Sequence, residues 1–156
     1  IKEFLPMDVA GRLPSGEVML AGGTTTQDVA DVDSGVEIYS PSLGSFGGFK
    51  DQTVNLSVAR MDHSCTLLDT GNVLVAGGLT GAGQATGAGE KVLIGSGTYS
   101  VEALPDVIEP ARYLHTATKL NNGWVLLSGG LPNQDPATPA VTQGVYFVPQ
   151  PACGVQ

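Results

Sequence analysis

The chain has 156 residues with 15 acidic and 7 basic side chains, a formal charge of −8, and 14% of it is charged against 42% apolar. That balance excludes a charge-rich disordered segment and a coiled coil. An acidic surface repels phosphate backbones, so no nucleic-acid partner is expected. No window approaches the roughly 18 to 20 apolar residues of a membrane helix, so no membrane insertion is expected either.

In chain order, one pattern appears three times. Ser15–Gly23 (SGEVMLAGG), Thr70–Gly78 (TGNVLVAGG) and Asn122–Gly130 (NGWVLLSGG) each end on a double glycine, and Gly22, Gly77 and Gly129 lie 55 and 52 residues apart. The second and third copies also share a lead-in, Arg60–Leu68 (RMDHSCTLL) and Arg112–Leu120 (RYLHTATKL). A strand, a short turn containing Gly and a second strand are predicted in each, because Gly71 and Gly123 supply the positive φ of a tight hairpin. Along the second strands both faces carry apolar or small residues, which predicts burial on both sides.

A polar or Gly-rich stretch then follows each double glycine, over 24–35, 79–90 and 131–143. Apolar segments return as predicted third strands at Val36–Pro41 (VEIYSP), Lys91–Ile94 (KVLI) and Gly144–Pro149 (GVYFVP). Fourth strands are expected near 45–50 and 98–104, with almost no room for one at the end of the third copy. A β unit of about 50 residues, stacked face to face, is what radial propeller blades require.

Few residues suggest chemistry. His63 and His115 are the only histidines, and both stand three residues after an Arg. A repeated position points to a repeated structural contact rather than to an active site used once. His63 and Cys65 share a strand face but have no third ligand of metal-binding type. The stretch Gly81–Lys91 (GAGQATGAGEK) leads into a strand and has Val92 where a phosphate loop needs Ser or Thr, so it reads as a connecting loop. Asp31, Asp33 and Glu37 surround a Gly as calcium-binding oxygens do, yet the set is incomplete, and an ordinary acidic loop is expected. Cys65 and Cys153 lack zinc spacing and read as small apolar fillers, their pairing left open. No cofactor is expected.

The succession of Arg-x-x-His, strand, turn Gly, strand, Gly-Gly, loop and Glu-x-Tyr-x-Pro resembles the kelch repeat. It is similar in particular to the bacterial secreted type also found in the propeller domain of galactose-oxidase-like proteins. The resemblance covers the whole chain and implies an all-β, partial kelch-type propeller of three four-stranded blades, about 1–58, 59–110 and 111–156. It places Gly22, Gly23, Gly77, Gly78, Gly129 and Gly130 at the ends of second strands. Arg60, His63, Arg112 and His115 fall on or just before innermost strands, and Tyr39 and Tyr146 on third strands. The expected fourth-strand Trp is missing, with Phe46 as its stand-in in copy one and Trp124 on a second strand. Copy two shows Val92 to Ser96 where Glu-x-Tyr-x-Pro is expected. Tyr99 and Tyr113 match no position of the family's radical-copper chemistry.

Three blades do not close a ring. Completion by the rest of a longer chain, by a second copy or by another subunit is expected. Copy one has Leu5 and Asp8 at the Arg and His offsets, and with the short last copy this leads to the expectation of a fragment or processed piece. The resemblance implies a non-catalytic binding or structural module at the cell surface or outside the cell. Its loops, 24–33, 79–90 and 131–143, would face a protein or carbohydrate partner. Two alternatives stand beside it: the propeller part of a larger galactose-oxidase-like or carbohydrate-active enzyme with catalytic residues outside this chain, and a subunit of a self-assembling extracellular structure.

Overall fold

The three turn glycines Gly16, Gly71 and Gly123 all hold φ between 82° and 88°, and each joins two short antiparallel strands. The computed structural model describes residues 9–24, 26, 28–50, 54–105 and 108–149. The first sheet contains β1 (Val9–Arg12), β2 (Val18–Ala21), β3 (Gly35–Ser40), β4 (Gly48–Phe49) and β5 (Val54–Asn55). The second contains β6 (Ser64–Leu67), β7 (Val73–Ala76), β8 (Gly89–Ile94) and β9 (Tyr99–Ala103), and the third β10 (Thr116–Lys119), β11 (Val125–Ser128) and β12 (Val145–Phe147). All pairings are antiparallel between strands that follow one another, except that β5 also joins β3. The architecture is all-β, as the sequence predicts, built as three antiparallel sheets in series.

Register revises parts of the expected alignment. Leu20 faces Glu37 and Val75 faces Glu90, so Glu90 holds in the second sheet the place that Glu37 holds in the first. Copy two therefore retains the acidic residue of Glu-x-Tyr-x-Pro, while Ile94 replaces the Pro and Val92, opposite Val73, replaces the Tyr, where Tyr39 stands opposite Val18. In the third sheet that place belongs to Phe147, opposite Val125, and Tyr146 points to the other face opposite Leu126. On the first sheet's fourth strand the aromatic residue is Phe49, packed edge-on to Tyr39 at 5.6 Å, whereas Phe46 precedes the strand and is exposed.

Alternation then decides what packs on what. Met19, Ala21, Val36 and Ile38 from one face of the first sheet share a core with Val73, Val75 and Val92 of the second. Leu74 and Ala76, on the opposite face of the second sheet, share another with Val125 and Leu127 of the third. On β7 this is the double-sided burial expected; β2 packs its Met19 and Ala21 face on the second sheet, and Leu20 on its other face is also buried. Innermost strands are neighbours, β1 beside β6 and β6 beside β10. Outside the cores, a polar clasp joins the first two sheets: Lys50 pairs with Glu17 at 2.5 Å, and the Tyr99 hydroxyl donates to Glu17 at 2.8 Å. Lys50 and Tyr99 together hold the Glu17 carboxyl below its usual range, the Lys50 hydrogen bond contributing most. Lys119 reaches Asp69 across the second gap at 2.5 Å.

Candidate functional site

Between neighbouring sheets the same joint is built twice. The Gly23 N–H donates to the Arg60 carbonyl at 2.8 Å, and the Gly78 N–H to the Arg112 carbonyl at 2.9 Å. A Cβ on Gly77 would stand 2.5 Å from that Arg112 carbonyl and 2.7 Å from His115 Cε1; one on Gly22 would meet the Arg60 carbonyl and His63 Cε1 in the same way. The double glycine is thus the seat on which the next sheet's Arg-x-x-His lead-in rests. Asp62 and Leu114, one residue before each His, both adopt left-handed backbone (φ 53° and 54°), and the Leu114 N–H donates to the Asp62 carbonyl at 3.0 Å. Such a conformation costs a non-glycine residue about 1 kcal/mol or more and turns the chain into the inner strand.

The arginines work inside their own sheets. Arg60 Nη1 donates to the Gly77 and Ala88 carbonyls at 2.9 and 2.7 Å, Nε donates to Val58, and Nη2 pairs with Glu90. Glu90 in turn accepts from the Ser57 N–H at 2.6 Å, the Ser57 hydroxyl at 2.8 Å and the Val58 N–H at 3.3 Å. Arg60 and Glu90 are completely buried, and this network satisfies both charges. Arg112 repeats the backbone contacts, to Pro110, Gly129 and Gln143. Among the described residues its Nη2 is buried without a partner, and Val145 stands where the second sheet has the glutamate.

The histidines are buried at the joints. His115 Nε2 lies 2.9 Å from the Ser64 hydroxyl on β6. Among the described residues His63 has no hydrogen-bond partner on either ring nitrogen. On β1 the register place of Ser64 belongs to Val9. Burial first, then the Arg60 charge and His115, push His63 down to about 3, and burial with Arg112 pushes His115 to about 4. Desolvation raises the Cys65 thiol to about 12, far from the thiolate that nucleophilic chemistry needs. Cys153 lies outside the described residues.

Beyond each double glycine a loop is pinched shut by one repeated bond. Asp33 N–H donates to the Gly23 carbonyl, Thr86 N–H to Gly78 and Val141 N–H to Gly130, at 2.8, 2.8 and 2.9 Å. The three loops share a small core of Met61, Leu79 and Tyr113, flanked by Val32, Ala85 and Leu131, so they gather at one end of the sheets. Gln84 and Asn133 form a bridge from the second loop to the third, and the Tyr113 hydroxyl donates to the Asn133 carbonyl at 3.2 Å. Tyr113 is therefore a loop anchor, and Tyr99 belongs to the clasp.

The acidic turn of the first loop is occupied internally. Asp31 accepts from the Thr26 hydroxyl at 2.7 Å, and Asp33 accepts from the Ser34 and Gly35 amides at 2.7 and 3.0 Å. Glu37 sits on β3, away from that turn. Among the described residues no group of three or more His, Cys, Asp or Glu could hold a metal ion. The stretch 81–91 runs into β8, as its sequence predicts. The roles of Glu90 as the partner of Arg60, and of Met61, Leu79 and Tyr113 as a loop core, are not apparent in the sequence pattern described above. For the trio the signal was present, since Met61 and Tyr113 both follow the lead-in Arg and Leu79 and Leu131 both follow the double glycine; Glu90 takes the place of Glu37 only through strand register.

No family model matches the chain, and no curated protein matches it. Among solved structures it is similar to a novel fungal alcohol oxidase, described as showing catalytic diversity among the AA5 family and as a complex with copper. Identity is 10% and the TM-score 0.38, over 92% of this chain and 51% of that one. The chain thus spans about half the length of that oxidase.

Proposed function

We propose that the chain is a three-unit segment of a kelch-type propeller that acts outside the cell as a non-catalytic binding module. Its gathered loops meet a protein or carbohydrate partner. The observation that carries this reading is the convergence of three loops, each closed by the same glycine-carbonyl bond, over one shared core. Loops held by a rigid scaffold at one end of the sheets are where binding residues concentrate. The histidines are buried and Cys65 is partly buried against a core, and Arg60 and Arg112 are spent on backbone carbonyls.

Charge narrows the partner. The loops contain no Lys or Arg, whereas Asp28, Asp31 and Asp135 are exposed. A surface of carboxylates, hydroxyls and amides suits a hydroxyl-rich or cationic ligand and repels a polyanion. Binding to a panel of oligosaccharides and basic peptides, compared between the chain and Asp28→Asn/Asp31→Asn/Asp135→Asn, tests this. Binding that falls about tenfold in the triple variant supports the loop surface. Copper bound one per chain together with turnover of an alcohol or sugar overturns the non-catalytic reading.

A further inference from the structure

We propose that the open face of the third sheet seats a fourth unit of the same repeat, bearing its own Arg-x-x-His lead-in, and not a second copy of this chain. This rests on the reading of the chain as a propeller segment. The joint built at Gly22–Gly23 and again at Gly77–Gly78 is half present at Gly129–Gly130. Gly129 keeps the positive φ of its counterparts, 69° against 60° and 63°. Yet among the described residues a Cβ there would meet nothing within 4 Å. The Gly130 N–H, whose counterparts bond the Arg60 and Arg112 carbonyls, is taken by no described acceptor. Leu114 repeats the left-handed turn of Asp62 but is 58% exposed, and no described N–H donates to its carbonyl as Leu114 donates to that of Asp62.

The sheet face adjoining this half-joint is more apolar than the one already covered. Trp124 and Tyr146 stand at the places of Asn72 and Lys91, and they pack edge-on at 6.0 Å while remaining 40% and 55% exposed. Leu126 and Ser128 beside them correspond to Leu74 and Ala76, which the third sheet buries. The seat therefore continues an interface already made twice in this chain, which defines its occupant. Each internal joint is filled by an Arg carbonyl and a His ring. Counted back from the double glycine as Arg60 and His63 are from Gly77, the sequence of the first unit has Leu5 and Asp8 in place of Arg and His. A second copy would thus bring neither the Arg nor the neutral ring, and would offer a carboxylate to a seat that closes dry elsewhere.

The test compares the chain as it stands, the chain with residues 54–105 repeated after Gln156, and that extended chain with Arg60→Leu and His63→Asp in the repeated unit. The readouts are amide exchange at Gly23, Gly78 and Gly130, Trp124 emission and quenching, and sedimentation. The proposal expects a monomeric unextended chain with a fast Gly130 amide. It expects exchange at Gly130 to slow about 100-fold, with Trp124 shifting to the blue, in the Arg/His extension alone. As a second measure, Gly129→Ala should lower Tm more in that extension than in the unextended chain, because only there does the new Cβ meet a carbonyl. A self-associating unextended chain with Gly130 protected overturns the proposal in favour of a second copy. Equal protection by both extensions, or by neither, also overturns it. Protection at Gly23 and Gly78 in those cases leaves the segment reading standing; loss of protection there removes both.

Discussion

Gly77 and Gly71 both hold positive φ, 63° and 84°, but for different reasons. Gly71 turns a hairpin, and a Cβ there would meet nothing within 4 Å, so Gly71→Ala should cost only the backbone term, about 1 kcal/mol. Gly77→Val adds a collision with the Arg112 carbonyl and the His115 ring, and should cost about 3 kcal/mol or more. On thermal melting the second variant should fall roughly three times as far as the first; equal shifts would mean the joint is not packed as described. Glu90 is the other residue on which much depends. Glu90→Leu strands the Arg60 guanidinium together with the Ser57 and Val58 amides, and should cost about 3 to 5 kcal/mol in denaturant unfolding.

The joint between sheets is where pH acts. An unfolded histidine takes up its proton near pH 6.5, whereas folded His63 resists until about 3 and His115 until about 4. Stability is therefore complete above about pH 6.5, falls as pH drops through the window down to about 3 to 4, and levels off below. The loss should reach a few kcal/mol, and His63→Leu should flatten the fall measured between pH 6.5 and 4. An unchanged slope would assign the effect to other groups. At this scale the sequence was legible wherever a residue's place depended on its own copy: the hairpins, the double glycines and the third strands follow from local pattern and turn chemistry. What it hid were relations across strands. Glu90 is recognisable only through its pairing with Val75, Phe49 displaces Phe46 only once β4 is in register with β3, and β5 joins β3 through contacts distant along the chain. The loop site was legible as three polar stretches, but its convergence depends on the Met61, Leu79 and Tyr113 core, which assembles residues from separate copies.

Across the whole molecule, two properties are kept apart. Sheets are joined by buried glycine, arginine and histidine contacts, whereas each loop is closed by the same pinching bond and tied to this frame by a few further bonds and a shared small core. The pinches span unequal lengths of chain, from 23 to 33, 78 to 86 and 130 to 141, with nearly the same geometry. Chain added beyond such a closure costs only the entropy of a longer loop, about 0.6 kcal/mol for each doubling. Inserting ten Gly/Ser residues between the exposed Pro139 and Ala140 should therefore cost about 1 kcal/mol, read as a small change in the urea midpoint with unaltered slope. The glycine carbonyl then acts as a standard socket: foreign peptide of arbitrary length could be plugged into any of the three ports, and binding specificity could diversify by insertion while the framework underneath needed no compensating change.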